Sequence, residues 1–107
     1  MLKYKHLTKT SALALAGFLL TACNNEDEKV GEQIVNSVCV ACHSQAINGA
    51  PIIGNKTMWS KRLSKGEDTL IQSAINGFEL MPAKGGRTDL SDEDIAAAVR
   101  YMIKQVN

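Results

Sequence analysis

The first apolar run, Ser11 to Leu20, reads SALALAGFLL and follows a start carrying Lys3, Lys5 and Lys9. An apolar core of that size behind a positive start predicts a signal peptide, since a membrane span needs about 18 apolar residues or more. A polar stretch, NNEDEK at 24–29, comes next. From Val30 the pattern changes to helical spacing: Val30, Ile34 and Val38, with Val35 adjacent, predict a helix. Gly49, Ala50, Pro51 and Gly54 mark an irregular segment, with apolar Ile47, Ile52 and Ile53 inside it. Thr57 to Lys65 predicts a short helix, with Met58/Arg62 and Trp59/Leu63 at i, i+4 and Gly66 as its stop. Asp68 to Asn76 predicts another, whose apolar face is Leu70, Ile71, Ala74 and Ile75, ended by Gly77. Ser91, with Asp94 three residues on, reads as a capping box opening the last helix. Ile95, Val99, Met102, Ile103 and Val106 form its apolar stripe, and Arg100 and Lys104 suit its C-terminal end. No alternating run predicts a strand, so the fold class is all-α, with about four helices.

The 107 residues suffice for one small domain. A composition 45% hydrophobic and 21% charged is that of an ordinary globular chain. A net charge of +1 argues against a nucleic-acid protein resting on phosphate contacts.

Leu20-Thr21-Ala22-Cys23 follows the signal core and resembles a bacterial lipoprotein box. That resemblance implies removal of residues 1–22, acylation of Cys23, and a short polar tether over 23–30. The alternative is an ordinary secretory signal with Cys23 as a spare thiol. Two or three acyl chains anchor stably where one is marginal. Asn24 lies where enteric bacteria use Asp for inner-membrane retention, so the outer membrane is favoured in a Gram-negative cell. Cleavage leaves nine of the 12 Lys and Arg, all 11 Asp and Glu, and His43 as the single histidine. A domain this small commonly needs a staple or a cofactor.

Residues 39–43 read Cys39-Val40-Ala41-Cys42-His43. C-x-x-C-H is the attachment pattern of c-type heme. Two thiols at this spacing reach the two vinyl groups along one side of a porphyrin, and the adjacent His supplies an axial ligand. A thioredoxin-like redox pair needs a βαβ setting, a closed zinc site needs four ligands, and a disulfide at this spacing is strained. For the sixth iron position three methionines remain after cleavage. Met102 falls on the apolar stripe and Met58 sits beside Trp59, both readable as packing. Met81 precedes Pro82 in the loop-like run GFELMPAKGG, and a residue before Pro is biased toward extended backbone. Met81 is therefore the candidate ligand, and a soft thioether raises the reduction potential.

With these residues in place, the chain from about Gly31 to Ile103 resembles a class I cytochrome c, nearest the short cytochrome c5-like group. CVACH at 39–43, GAPIIG at 49–54, the Trp59 helix, INGFELMPAKGG at 75–86 and SDEDIAAAVRYM at 91–102 carry the resemblance. It implies a domain at 31–107, helices wrapped around one covalent heme c. It also implies a Pro51 carbonyl on the far nitrogen of His43, and Trp59 on a heme propionate unless it simply packs. Tyr101 matches the aromatic that packs where first and last helices cross. Cytochrome c5 relatives carry a Cys pair before the last helix, but Arg87 and Leu90 stand there, so the Met81 loop has no such covalent brace.

The function expected is one-electron carriage, not enzymatic turnover, by a monomer that docks transiently with redox proteins of the cell envelope. Lys56, Lys61, Arg62, Lys65, Lys84 and Arg87 make the middle of the chain basic, either a docking patch or a solvated face. Two other readings are a heme sensor or peroxidase-like protein with an open sixth position, and a heme subunit of a larger respiratory complex.

Overall fold

The computed structural model describes residues 22–106, with side chains from Asn25 onward. The expected signal peptide, residues 1–22, lies outside this description apart from the backbone of Ala22, and so does the Cys23 side chain. Among the described residues, four helical rods are joined by irregular segments that carry short 3-10 turns at Ile47–Gly49 and Ala83–Gly86. The first comprises α1 (Ala22–Ile34), a π turn (Val35–Cys39) and α2 (Val40–His43) in unbroken succession. The others are α3 (Lys56–Leu63), α4 (Glu67–Asn76) and α5 (Asp92–Lys104). Among the described residues there is no strand, only an isolated bridge between Phe78 and Met81. The chain has the all-α class read from its periodicity.

The first rod departs from expectation at its start. Helix was expected from Val30, after a tether reaching about 20 Å if extended. Among the described residues the chain is instead already helical from Ala22. Residues 23–29 contain no Gly or Pro, and Glu and Lys are good helix formers. Glu28 ties this stretch to α5 through Lys104 Nζ at 2.6 Å. As helix, six residues rise only about 9 Å. Further along, Ser37 Oγ donates to the Gln33 carbonyl at 2.7 Å and so competes with the backbone ladder within the π turn. π turns recur at functional sites, and this one leads directly into Cys39.

Caps explain the other boundaries. Asn55 accepts the Met58 amide at 3.0 Å and starts α3. The expected capping box is present: Ser91 Oγ accepts from the Asp94 amide at 3.0 Å, and Asp94 accepts from the Ser91 amide at 3.3 Å. Gly77 follows α4 at φ 89°, a conformation a side chain rarely adopts.

α1 and α5 cross at Gly31, which is buried against the Ala97 carbonyl and Tyr101 Cβ. The absence of a side chain there lets the two backbones approach closely. Tyr101 packs at the crossing and its hydroxyl donates to Glu32 at 3.2 Å. Two apolar clusters then form. One holds Ile34, Val35, Trp59, Ala98, Met102 and Val106. The other holds Ile71, Ala74, Ile95 and Val99. α5 contributes to both, so its stripe is the common wall of the fold. Val35 is 1% exposed, and burying a side chain of its kind stabilises by about 1.5–3 kcal/mol.

Candidate functional site

A cavity of about 470 Å3 is bordered by residues of both clusters. That volume lies within the range of small-molecule and cofactor sites, roughly 300–1,000 Å3. Cys39, Cys42, His43 and Met81 all line it. So do Pro51, Trp59 and Met102, whereas Met58 is half-buried elsewhere. Of the three isoleucines in the irregular segment, only Ile47 borders the cavity.

Cys39 and Cys42 are free thiols, both half-buried. Burial pushes the Cys39 thiol up to about 11, against a smaller lowering by a backbone hydrogen bond. A thiol that remains protonated is a poor nucleophile for disulfide exchange, which goes against the thioredoxin-like reading. Among the described residues no cluster of three or more His, Cys, Asp or Glu is arranged to hold a metal ion, as a zinc site requires.

His43 is 8% exposed. Its Nδ1 lies 2.8 Å from the Pro51 carbonyl. That oxygen can only accept, so the proton sits on Nδ1 and Nε2 keeps its lone pair. Burial lowers the pKa of the ring, the Pro51 bond raises it less, and the Arg62 charge adds a further lowering. The imidazole is therefore held neutral, the form that ligates a metal. Two further contacts steady it. The Ile53 amide donates to the His43 carbonyl at 2.9 Å, and the ring stacks on Trp59 at a centroid distance of 6.2 Å and 24°.

Trp59 is buried at the cavity wall, and its one N–H donates to the Ile52 carbonyl at 2.8 Å. The indole borders the cavity as an apolar face and braces the irregular segment against α3. This partner is a backbone carbonyl seven residues away, which no side-chain pattern announces.

Met81 is positioned by a tight reversal. Its amide donates to the Phe78 carbonyl at 2.8 Å, and the Phe78 amide donates back at 3.0 Å. A Cβ at Gly77 would lie 3.1 Å from both the Ala83 nitrogen and the Met81 oxygen, so the turn needs glycine there. The missing disulfide is offset by Lys84. Its Nζ donates to the Leu90 carbonyl at 2.7 Å and pairs with Asp92 at 2.8 Å, tying the loop to the start of α5. Arg87 makes a local pair with Asp89, 2.7 Å apart, which holds the Asp89 carboxyl below its ordinary range. Of the six cations in the basic middle, Lys56, Lys61 and Arg87 are exposed away from the cavity, while Arg62, Lys65 and Lys84 border it. Asn55 and Lys84 were not singled out by their roles. Asn directly before a helical pattern is a signal that would have found the cap; nothing local announces the Lys84 clamp.

The donor set fits a covalently attached heme. Two unpaired thiols, a neutral imidazole with Nε2 uncommitted and a thioether border one apolar cavity.

Comparison with known proteins agrees. The family model described as "Cytochrome C oxidase, cbb3-type, subunit III" matches residues 26–102. Cytochrome c-555 of Chlorobaculum tepidum is 33% identical over 106 residues, covering 92% of this chain and 98% of its own. Cytochrome c5 of Ectopseudomonas mendocina is 36% identical, covering 66% of this chain and 84% of its own. A solved cytochrome c, from the electron transfer complex of nitrite reductase with cytochrome c, superposes with a TM-score of 0.69 at 33% identity. That match covers 73% of this chain and 95% of the other. The chain thus belongs to this cytochrome c family, as a small class I cytochrome c whose members carry one covalently attached heme c and act in electron transfer.

Proposed function

We propose that this protein is a membrane-tethered one-electron carrier of the bacterial cell envelope, with His43 and Met81 as the two axial ligands of its heme iron. The observation that carries the reading is the pairing of an uncommitted His43 Nε2 with Met81 on one cavity wall system, beside both thiols. When bound, the heme supplies a metal that takes up and releases a single electron. The residues of the chain do the rest. Cys39 and Cys42 fix the group through thioethers. Pro51 orients His43 and makes it a more basic ligand. The apolar stripe of α5 keeps water from the iron, and the reciprocal Phe78 bonds hold Met81 toward it.

The mouth of the cavity suggests how partners approach. Ile47 and Phe78 are each 44% exposed and Leu80 is 70% exposed, and all three border the cavity. Exposed apolar side chains beside a redox centre suit brief docking through a small interface. The neighbour crystallised with nitrite reductase is a precedent for such docking. The matched family description names an oxidase subunit, yet cytochrome c-555 is covered over 98% of its length, which favours a separate carrier. The heme-loaded protein is expected to contain one heme per chain and to titrate as a single one-electron couple. Steady turnover of peroxide would instead identify a catalytic heme.

The anchor is part of the same proposal. No helix among the described residues is long and apolar enough to cross a membrane. Lipid on Cys23, with the outer membrane favoured, places the heme domain on the extracytoplasmic side. Cys23→Ser expressed in a Gram-negative host is expected to move the cytochrome from the detergent phase to the aqueous phase of a detergent partition. Retention in the detergent phase would contradict lipidation at Cys23.

A further inference from the structure

Residues 24–29 carry no apolar side chain, yet they belong to α1 as helix instead of running out as coil. Their support comes from α5. Asp27 and Glu28 line one groove with Ala97, Arg100, Tyr101 and Lys104. Glu28 accepts from Lys104 Nζ at 2.6 Å, and one turn on, Glu32 accepts from the Tyr101 hydroxyl at 3.2 Å. Lys29 also pairs with Glu26 at 3.6 Å. Exposed ion pairs are weak singly. The costly step of a helix, however, is its first turn, and that turn is already made where Val30 packs on the core and Gly31 is buried against α5. Each residue added toward the N-terminus then gains a backbone hydrogen bond, so weak contacts suffice to hold the extension. Cleavage before Cys23 would preserve it. Asn24 and Asn25 are good N-cap residues, and Glu26 and Asp27 would then stand in the first turn, where the helix dipole favours carboxylates.

Resting on the lipid-anchor reading above, we propose that residues 23–30 are a helical stalk clipped to α5. The stalk holds the heme end of the first rod away from the bilayer and offers the redox edge to partners of the extracytoplasmic space, not to partners embedded in the membrane. Cys23 and Cys39 lie on one unbroken helical rod, about 24 Å apart along its axis at helical rise. Val38, Cys39, Cys42 and His43, which border the cavity, are at the end opposite Cys23. Charge acts in the same sense. Glu26 and Asp27 are exposed at the lipid end, and anionic headgroups within a Debye length, about 8–10 Å, repel them and disfavour a rod lying flat. Lys56, Lys61 and Lys65 are exposed on α3 and just after it. On a loose tether, those lysines would draw the domain down onto the same headgroups.

The test uses the heme-loaded, lipidated protein in vesicles of phosphatidylethanolamine and phosphatidylglycerol. Heme consumes Cys39 and Cys42 and lipid consumes Cys23, so only thiols introduced by Asn25→Cys and Asp68→Cys take spin labels. Pulsed dipolar spectroscopy between those labels should give one narrow distance. Lys29→Pro removes an amide donor and obstructs the helix before it, whereas proline is tolerated at the first position of the helix that follows. That variant should free the stalk while the rod from Val30 onward keeps its fold and its heme, and its distance distribution should broaden severalfold. Lys29→Ala, which gives up only the pair with Glu26, should keep the narrow distance. Quenching of a headgroup fluorophore by the heme should be weak with the intact stalk and stronger in Lys29→Pro. A broad distribution with the intact stalk, or equal quenching with and without Lys29→Pro, would overturn the proposal. Should Lys29→Pro fail to load heme, the intact-stalk distribution decides alone, narrow in support and broad against. Failure of the wild-type protein to enter the vesicles would strike the anchor reading and the stand-off with it, and the detergent partition of Cys23→Ser reads that failure separately.

Discussion

Met81→Ala is expected to convert the protein from a low-spin cytochrome into one whose reduced form binds carbon monoxide. The proposed sixth ligand is the Met81 thioether, and alanine has no donor to replace it. A soft thioether stabilises ferrous iron, so the reduction potential should fall with its loss. The weak red absorption of a methionine–iron bond should disappear in the same variant. Met58→Ala serves as the comparison, because Met58 lies away from the cavity and should keep the wild-type spectrum. The exchange also costs packing. Met81 is half-buried against the cluster of Ile71, Ala74, Ile95 and Val99. Truncating a buried Met to Ala costs about 2–5 kcal/mol, and a half-buried one belongs near the lower end. Denaturant titration reads that loss separately from the spectrum. Retention of the red band in Met81→Ala would remove Met81 from the iron.

Gly31→Ala is expected to destabilise the domain although alanine is the better helix former. A Cβ at Gly31 would meet the Ala97 carbonyl oxygen, and would lie 2.8 Å from its carbon and 3.1 Å from Tyr101 Cβ. The obstruction is mainly backbone of α5, which cannot rotate away as a side-chain tip can. Overpacking costs about 1–3 kcal/mol, while replacing a helical Gly recovers only about 1 kcal/mol. The net loss should be about 1–2 kcal/mol for Ala and larger for Val, which adds two methyl groups at the same point. Against a total of about 5–15 kcal/mol for a folded domain, that is a substantial fraction. Urea midpoints of the heme-loaded protein measure it. An unchanged or raised midpoint in Gly31→Ala would show that α1 and α5 do not meet as described. Because α1 runs through the π turn into Cys39, the Val variant should also lower the yield of covalently loaded protein.

Much of the site was legible because its signals are local. The thiol spacing of Cys39 and Cys42, the adjacent His43, and Met81 before Pro82 each lie within a few residues of chain. The Ser91–Asp94 box and the apolar face of Glu67–Asn76 are local in the same way, and both formed as read. What was not legible depends on partners distant in the chain or on backbone atoms. Gly31 inside a helical pattern reads only as a propensity cost until Ala97 is placed against it. The donor of Trp59 goes to a carbonyl, and carbonyls are identical in every residue. Lys84 replaces a covalent brace through the Leu90 carbonyl and Asp92, a pairing that a charge count cannot distinguish from a solvated lysine. The acidic 24–29 segment read as tether because it is polar, yet contact with Lys104 of α5 supports it as helix.

The decisive measurement is the absorption spectrum of the heme-loaded wild-type protein, oxidised and reduced, with and without carbon monoxide. His43 and Met81 together on the iron predict a low-spin spectrum with the weak red methionine band, and no change on adding carbon monoxide. A high-spin spectrum, or ready carbon monoxide binding by wild type, would contradict that ligation and point to a sensor or catalytic heme.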